Sequence, residues 1–363
     1  MRQVAARARV SAKTVSRVFN DDPHVLPETR ARVMAALREL DYVPNPLAQT
    51  FRTGRAPVLG VAVPDLADPF FAVIAKAAEE VAAEAGLAVL VTSLGYDAAR
   101  EAGALASLLG RPLSGLVVAP TGADHRYLGP WAARFPVVFV DRPPQGLRAD
   151  AFTGDDREGG RIATAHLVSH GHREIAFVGD SPAMPTTADR LAGHRAARAD
   201  AGVAPRSELV AFGAGDPRRA AEVVDRLGRA RPRPTALVSA DARTTMTLVP
   251  ALAGRRWAVV GFGDFPMAHM LSPALTVIDQ DPVALGRLAA ERAVARLASP
   301  QRRFRRHTVV PVRLVERRSC WSPTEPTELF PSSCPGPWAA ASHVEAAERD
   351  PAPSRPLAEE PPS

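Results

Sequence analysis

Lys13 and Arg17 stand four residues apart in VSAKTVSRVFN, residues 10–20, a spacing that puts both cations on one side of a single helix. Ser11 is a natural N-cap. Val15, Val18 and Phe19 recur at i, i+3 and i+4, which leaves one apolar stripe for burial and gathers Lys13, Ser16, Arg17 and Asn20 on the opposite face. Two cations among small hydrogen-bonding side chains suit the N7 and O6 acceptors of guanine. Other spacings carry less. His166 and His170 are an i, i+4 pair with His172 beyond, which could ligate a metal, but no HExxH pattern or acidic partner accompanies them and helix-end capping is the better reading. GFGDFP, residues 261–266, contains GxG without the third glycine or a good helix to follow. Neither GxSxG nor a Walker sequence occurs. The chain reads as a binder, with no catalytic set, no metal and no cofactor.

The elements around Lys13 and Arg17 decide what that face can reach. VAARA, residues 4–8, predicts a short helix with Val4, Ala5 and Ala8 on one side. PETRARVMAALRELDY, residues 27–42, predicts a longer one with Pro27 near its start and Val33, Leu37 and Leu40 inward. Three apolar stripes close a small core and leave Lys13 and Arg17 outside, the helix-turn-helix arrangement whose second helix enters the major groove. Charge agrees: residues 1–55 carry ten cations against five carboxylates, a net +5 out of +6 for the whole chain. A compact basic unit on a near-neutral body is the electrostatic footprint of a nucleic-acid module. PNPLAQTFRTG, residues 44–54, follows, with Asn45 as a cap, Pro46 at the first helical position and Leu47 and Phe51 as an i, i+4 pair before Gly54. A helix this short forms only when docked.

From Val58 the pattern changes to alternating strands and helices. LGVAV, FFAVIAKAAEEVAAEAG, LAVLVT, the Ala/Leu segment 98–110 and GLVVAP open a β-α-β-α-β series that continues through VVFVD, IATAHLVSHG, EIAFVG, a helix near 188–201, ALVSA, AVVGFG and LTVID. Such a series predicts parallel sheets covered on both faces, with ligands at the carboxyl ends of the strands. Two sheets with a cleft between them suit a chain of 363 residues. No apolar run is long enough to span a bilayer and no signal-peptide series opens the chain, so the expected location is the cytoplasm. Cys320 and Cys334 are the only cysteines and give neither a disulfide framework nor a CxxC site. After LVERRS, residues 320–363 are a Pro, Ser, Glu and Ala mixture with seven carboxylates against two arginines, expected to be disordered.

VAARARVSAKTVSRVFN, the TR of PETRARV and ELDYVPNPLAQTF together resemble the DNA-binding head and hinge of the lac and galactose repressor family (LacI/GalR). The resemblance implies that Ala12, Lys13 and Arg17 reach base edges while Thr14, Ser16, Asn20, His24 and Thr29 position the head. It also implies that Asn45, Leu47, Gln49 and Phe51 act in a hinge helix whose apolar wedge enters the minor groove, with Phe51 where the family usually has Leu. Two features depart from the family. Arg9 replaces a turn glycine, and the chain starts inside the family's first helix without its usual capping Thr, so that helix is expected to be about a turn short.

The resemblance continues through VPDLADPFF, PVVFVDR, ATAHLVSHGHREIAFVGD, TADRLAGHRAA and PALTVIDQDP and so covers roughly residues 1–319. It implies a periplasmic-binding-protein-like effector domain of two lobes that exchange strands. Carried over by position, the effector set is Asp68, Phe70, Phe71, Thr121, Arg142, Asp156, Arg190, Asp241 and Asp264. Aromatic faces with Arg and Asp forks suit a small polyol, although Phe70 and Phe71 also begin an amphipathic helix and either can be core. Asp156 and Ala240 stand where the family has asparagines, and Gly263 where it has the first Asp of GFDD. The organisation expected is a head at 1–44, a hinge at 45–57, an effector-binding and dimerisation domain at 58–319 and a tail at 320–363. With no leucine heptad in that tail, a dimer is expected. The function implied is a DNA-binding regulator, in all expectation a repressor, that binds a pseudo-palindromic operator and responds to a sugar. The alternative is a cytoplasmic sugar-binding sensor with impaired DNA binding.

Overall fold

Val4, Val15 and Val33 are fully buried together, one from each of three helices, and this contact organises the N-terminal unit of the computed structural model, which describes residues 2–19, 22–40 and 57–324. The helices are α1 (Arg2–Ala8), α2 (Ala12–Phe19) and α3 (Pro27–Glu39). Ser11 Oγ accepts from Thr14 N at 3.0 Å, so the side chain caps α2 as its sequence position predicts. Ala5, Ala8, Val18, Val25 and Ala36 complete the core. Leu40, expected inward, is exposed, because α3 ends at Glu39 and the buried position one turn earlier belongs to Ala36.

Helix α1 ends in a paired reverse turn, with Val10 N donating to Ala5 O and Arg9 N to Ala6 O. That turn requires a left-handed residue, and Arg9 takes it with φ 52°. A side chain there costs about 1–2 kcal/mol that glycine would not.

The second unit, from Pro57, is built of two six-stranded sheets. The first lobe holds β1 (Val58–Val63), α4 (Pro69–Glu84), β2 (Ala88–Ser93), α5 (Glu101–Leu109), β3 (Gly115–Val118), the one-turn α6 (Gly129–Ala132), β4 (Val137–Val140) and β5 (Asp150–Gly154). The second holds α7 (Asp156–Ser169), β6 (Ile175–Val178), α8 (Pro185–Asp200), β7 (Val210–Ala211), α9 (Pro217–Gly228), β8 (Ala236–Ser239), α10 (Ala242–Ala251), β9 (Ala258–Phe262) and β10 (Thr276–Asp279). The chain then returns: α11 (Pro282–Ala298) packs on α4, and β11 (His307–Val310) joins the first sheet beside β5, before β12 (Arg313–Val315) joins the second beside β10. Three segments thus cross between the lobes, after β5, after β10 and between β11 and β12. The sheet orders are β11-β5-β4-β3-β1-β2 and β12-β10-β9-β8-β6-β7, parallel throughout except for β12 against β10. The apolar runs Leu116–Val118 and Val137–Val140 are buried on both faces, as helix-covered parallel strands must be. No described helix is long and apolar enough to cross a membrane.

Two helices of the second lobe come unusually close. A Cβ on Gly160 of α7 would overlap Arg190 O of α8, and one on Gly193 would overlap Arg157 O, so only hydrogen at both positions permits this contact. The lobe also extends further along the chain than its expected end. Trp321 is buried in its core and its carbonyl lies 2.7 Å from His172 Nε2, so residues 320–324 belong to the ordered lobe, and the tail beyond them lies outside the described residues. The apolar area of one indole decides this, since a Pro-rich composition averages it away.

Arg9→Gly should stabilise the N-terminal unit by about 1 kcal/mol. In the intact chain this is expected to slow amide exchange at Val15 and Val33 roughly fivefold, and unchanged exchange would mean that the turn carries no strain.

Candidate functional site

On the outer side of α2, Ala12, Lys13 and Arg17 are exposed and Thr14 and Ser16 half-buried, so the side chains of the predicted face do reach the surface together. Arg17 is not free there. Its Nε donates to Asp22 Oδ2 at 2.8 Å, while Asp22 Oδ1 accepts from His24 N at 2.9 Å and lies 3.1 Å from His24 Nδ1. Asp22, which sequence reasoning passed over, therefore aims Arg17 and fixes His24. The Arg17 guanidinium and the His24 amide hold its carboxyl well below the usual carboxylate range. Thr29 is half-buried on the first turn of α3. Asn20, Asn45, Leu47, Gln49 and Phe51 lie outside the described residues.

Between the two lobes the strand ends converge on a cleft of about 570 Å³, part of it open to solvent. From the first lobe Asp68, Phe70 and Phe71 enter at the start of α4, Tyr96 after β2, and Asp141 and Arg142 after β4. From the second, Asp180, Ser181 and Met184 follow β6, Thr186, Thr187 and Arg190 come from α8, and Asp241, Ala242 and Arg243 follow β8. Gly263 after β9 and Gln280 after β10 complete the wall. Every contributor from a strand lies at its carboxyl end, where open parallel sheets place ligands.

The guanidiniums of the cleft are already neutralised from within. Arg190, buried, contacts Asp156 Oδ1 through Nε at 2.7 Å and NH2 at 2.6 Å, donates to Ala240 O, and lies 4.3 Å from the Phe262 ring centroid. Arg142 donates to Pro120 O at 2.6 Å, with Asp141 Oδ2 3.2 Å from its Nε. Arg243 pairs with Asp180 and stacks on Tyr96 at 4.1 Å, a contact that joins the two lobes. Asp68 caps α4, accepting from Phe70 N at 3.0 Å and from Tyr96 OH at 3.1 Å. Burial pushes its carboxyl up to about 6, against the pull of the Phe70 amide and with the help of Asp241. Asp141 takes φ 68° at the end of β4, a strained position for a residue with a side chain. The Gln280 side-chain nitrogen is buried in the cleft wall with no hydrogen-bond partner among the described residues.

Comparison with known proteins agrees with this arrangement. Residues 1–45 match the family model described as bacterial regulatory proteins, lacI family, and residues 164–320 match that of the periplasmic binding protein-like domain. The HTH-type transcriptional regulator GalS of Salmonella typhimurium is 30% identical over 327 residues, covering 88% of this chain and 96% of GalS. The chain belongs to the lacI family of bacterial regulatory proteins. Among solved structures, the lac repressor dimer bound to operator and the anti-inducer ONPF is 26% identical with a TM-score of 0.73, covering 88% of this chain and 98% of the repressor chain. The transcriptional regulator CelR–cellobiose complex is 27% identical with a TM-score of 0.65, covering 87% and 98% of the two chains.

The lacI-family fold brings six of the nine residues expected at the effector site into the cleft wall: Asp68, Phe70, Phe71, Arg142, Arg190 and Asp241. Phe70 and Phe71 line the cleft and are also core, so their places in the fold serve both alternatives. Three residues sit elsewhere. Thr121 donates through its amide and hydroxyl to the buried Glu101 carboxylate, which anchors the loop after β3. Asp156 stands behind Arg190 and orients it. Asp264 is turned to Arg317, with contacts of 3.1 and 2.6 Å, because the cation two residues past the end of β12 claims it first. Tyr96, Asp180 and Arg243 were missed, although each lies just past a strand end, a signal the chain order offers.

Because Asp68 is raised from 3.8 to about 6 in the folded chain, its contribution to stability is full below about pH 4 and lost as pH rises through 6. Asp68→Asn keeps an acceptor for the Phe70 amide and removes the titration. Its stability relative to the parent should climb from near zero at pH 4 to roughly 2–3 kcal/mol at pH 7. Urea unfolding at both pH values checks this, and a pH-independent difference would place the Asp68 carboxyl in water.

Proposed function

We propose that this lacI-family transcriptional regulator is a dimeric repressor whose hold on a pseudo-palindromic operator is set by a neutral polar ligand, a sugar, bound between the lobes. The cleft carries the proposal: Arg142, Arg190 and Arg243 each already face a carboxylate, so an anionic ligand would have to compete with Asp141, Asp156 and Asp180. A polyol need not. Its hydroxyls can accept from the unpartnered Gln280 nitrogen and donate to Asp68 and Asp241, while Phe70 and Phe71 offer apolar surface to C–H groups. Relatives named for cellobiose and for a ribose operon support a carbohydrate.

Ligand affinity that differs between open and closed lobes would shift their equilibrium and so change the spacing of two heads in a dimer. Lys13 and Arg17, with Ala12 beside them, are proposed to read bases, and Thr14, Ser16, Asn20, His24 and Thr29 to hold the register. Asn45, Leu47, Gln49 and Phe51 are proposed to form the minor-groove hinge, and residues 58 onward the dimerising body. The second reading, a sugar sensor with impaired DNA binding, is favoured by one observation, the strained turn at Arg9.

Arg17→Ala should weaken operator binding by about 1–3 kcal/mol per half-site and relax base preference there. Weaker binding with unchanged preference would assign Arg17 to phosphate.

Ligand response is better tested by filling the cleft than by removing Arg190, whose loss would strand the Asp156 charge in the interior. Met184→Trp should abolish the response while leaving ligand-free operator affinity intact. By linkage, a sugar that alters operator affinity by some factor must have its own affinity altered by operator DNA by the same factor. Calorimetry with a sugar panel, with and without operator, measures both. Equal sugar affinities in the two conditions, with an operator complex indifferent to every sugar, would leave only the uncoupled sensor.

A further inference from the structure

His166, in the last turn of α7, and His170, the residue that follows the helix, have their ring centroids 4.7 Å apart, and the sequence offers them no acidic neighbour. The fold supplies one. Strand β12 packs against α7, and Glu316, the residue immediately after it, brings a carboxylate oxygen and one ring nitrogen of each histidine within 4.8 Å of one another. His166 Nε2 is buried and has no hydrogen-bond partner among the described residues, so this ring nitrogen is left unused.

We propose that His166, His170 and Glu316 bind one divalent transition-metal ion of the zinc type on the second lobe, away from the effector cleft. Two imidazoles and one carboxylate are a three-ligand set that leaves a fourth, tetrahedral position for water. Ligand atoms about 2.0–2.1 Å from zinc lie roughly 3.4 Å from each other. Any pair near that upper limit therefore closes by about an ångström or slightly more, a movement within reach of χ rotation of the exposed Glu316 side chain and of the two imidazoles. Imidazole with carboxylate suits zinc better than magnesium or calcium, which take all-oxygen shells. Neither His172 nor Cys320 belongs to the group: His172 is spent on Thr235 and the Trp321 carbonyl, and Cys320 faces Val259 O. The bound ion ties the end of α7 to the end of β12, the strand that follows the last crossover between the lobes.

The test is a zinc titration of the full chain, stripped with chelator, against a chromophoric competitor. One equivalent is expected to bind and to raise the melting temperature. Glu316→Gln should weaken it about tenfold or more and His170→Gln roughly a hundredfold, both variants melting like the parent when metal-free. Glu316 is on the surface, so its variant keeps the test valid should His170→Gln lose stability. Cys320→Ser should leave the affinity unchanged, and cobalt substitution should show no thiolate charge-transfer band. No binding by the parent, or equal binding by parent, Glu316→Gln and His170→Gln, overturns the site, as does a loss on Cys320→Ser.

Discussion

The buried ion pair between Asp156 and Arg190 is the constraint on which the second lobe and its share of the cleft depend. A guanidinium removed from water must be matched on every side, since an unpaired buried charge costs about 3–5 kcal/mol. Here one arginine of α8 reaches α7 through Asp156, the end of β8 through the carbonyl of Ala240, the residue after it, and β9 through the face of Phe262, so four elements meet at a single planar group. Geometry makes the meeting possible. Without side chains at Gly160 and Gly193, α7 and α8 approach closely enough for the first turn of one to pair with the middle of the other. The cleft wall is thus set by backbone contact before any ligand arrives.

Polar groups around the cleft follow the same logic of internal neutralisation. Arg142 has Asp141, Arg243 has Asp180, and Asp68 has an amide and a phenol. What is left over among the described residues is modest: carboxylate lone pairs, aromatic faces, the Gln280 nitrogen and the Arg142 Nε, which lies 3.2 Å from Asp141 Oδ2 without a hydrogen bond. On the proposed reading, selection among ligands would rest on hydrogen-bond geometry and shape, not on net charge.

Much of this was legible in the residue order. The period-3.6 stripes of the first three helices were plain, as were the aliphatic runs of β1, β3, β4, β6, β8 and β9, because buried parallel strands cannot hide their composition. Strands β5, β11 and β12 were not. DAFTG has no aliphatic run, and HTVV and RLV are short segments set among arginines at the sheets' edges. At the cleft, positions near strand ends could be named, but partner choice could not. Asp264 and Asp156 differ only in which arginine the fold brings near, Arg317 or Arg190, and that depends on contacts 53 and 34 residues distant. Glu316 lay beyond reach for the same reason, 146 residues from His170 in chain order and adjacent to it in space.

The return of the chain to the first lobe bears on how the protein is made. Leu285, Ala289, Ala290, Ala293 and Val310 are part of the same buried cluster as Leu59, Val61 and Ile74, so that core stays open until all of the second lobe up to β10 has been synthesised. A nascent chain leaving the ribosome at about 5–20 residues per second holds the apolar faces of β1 and α4 exposed for tens of seconds. The two lobes therefore cannot mature in the order in which they are translated. The exposed interval is one in which chaperone capture or aggregation competes with folding, and fragments that stop before α11 inherit the unfinished core permanently.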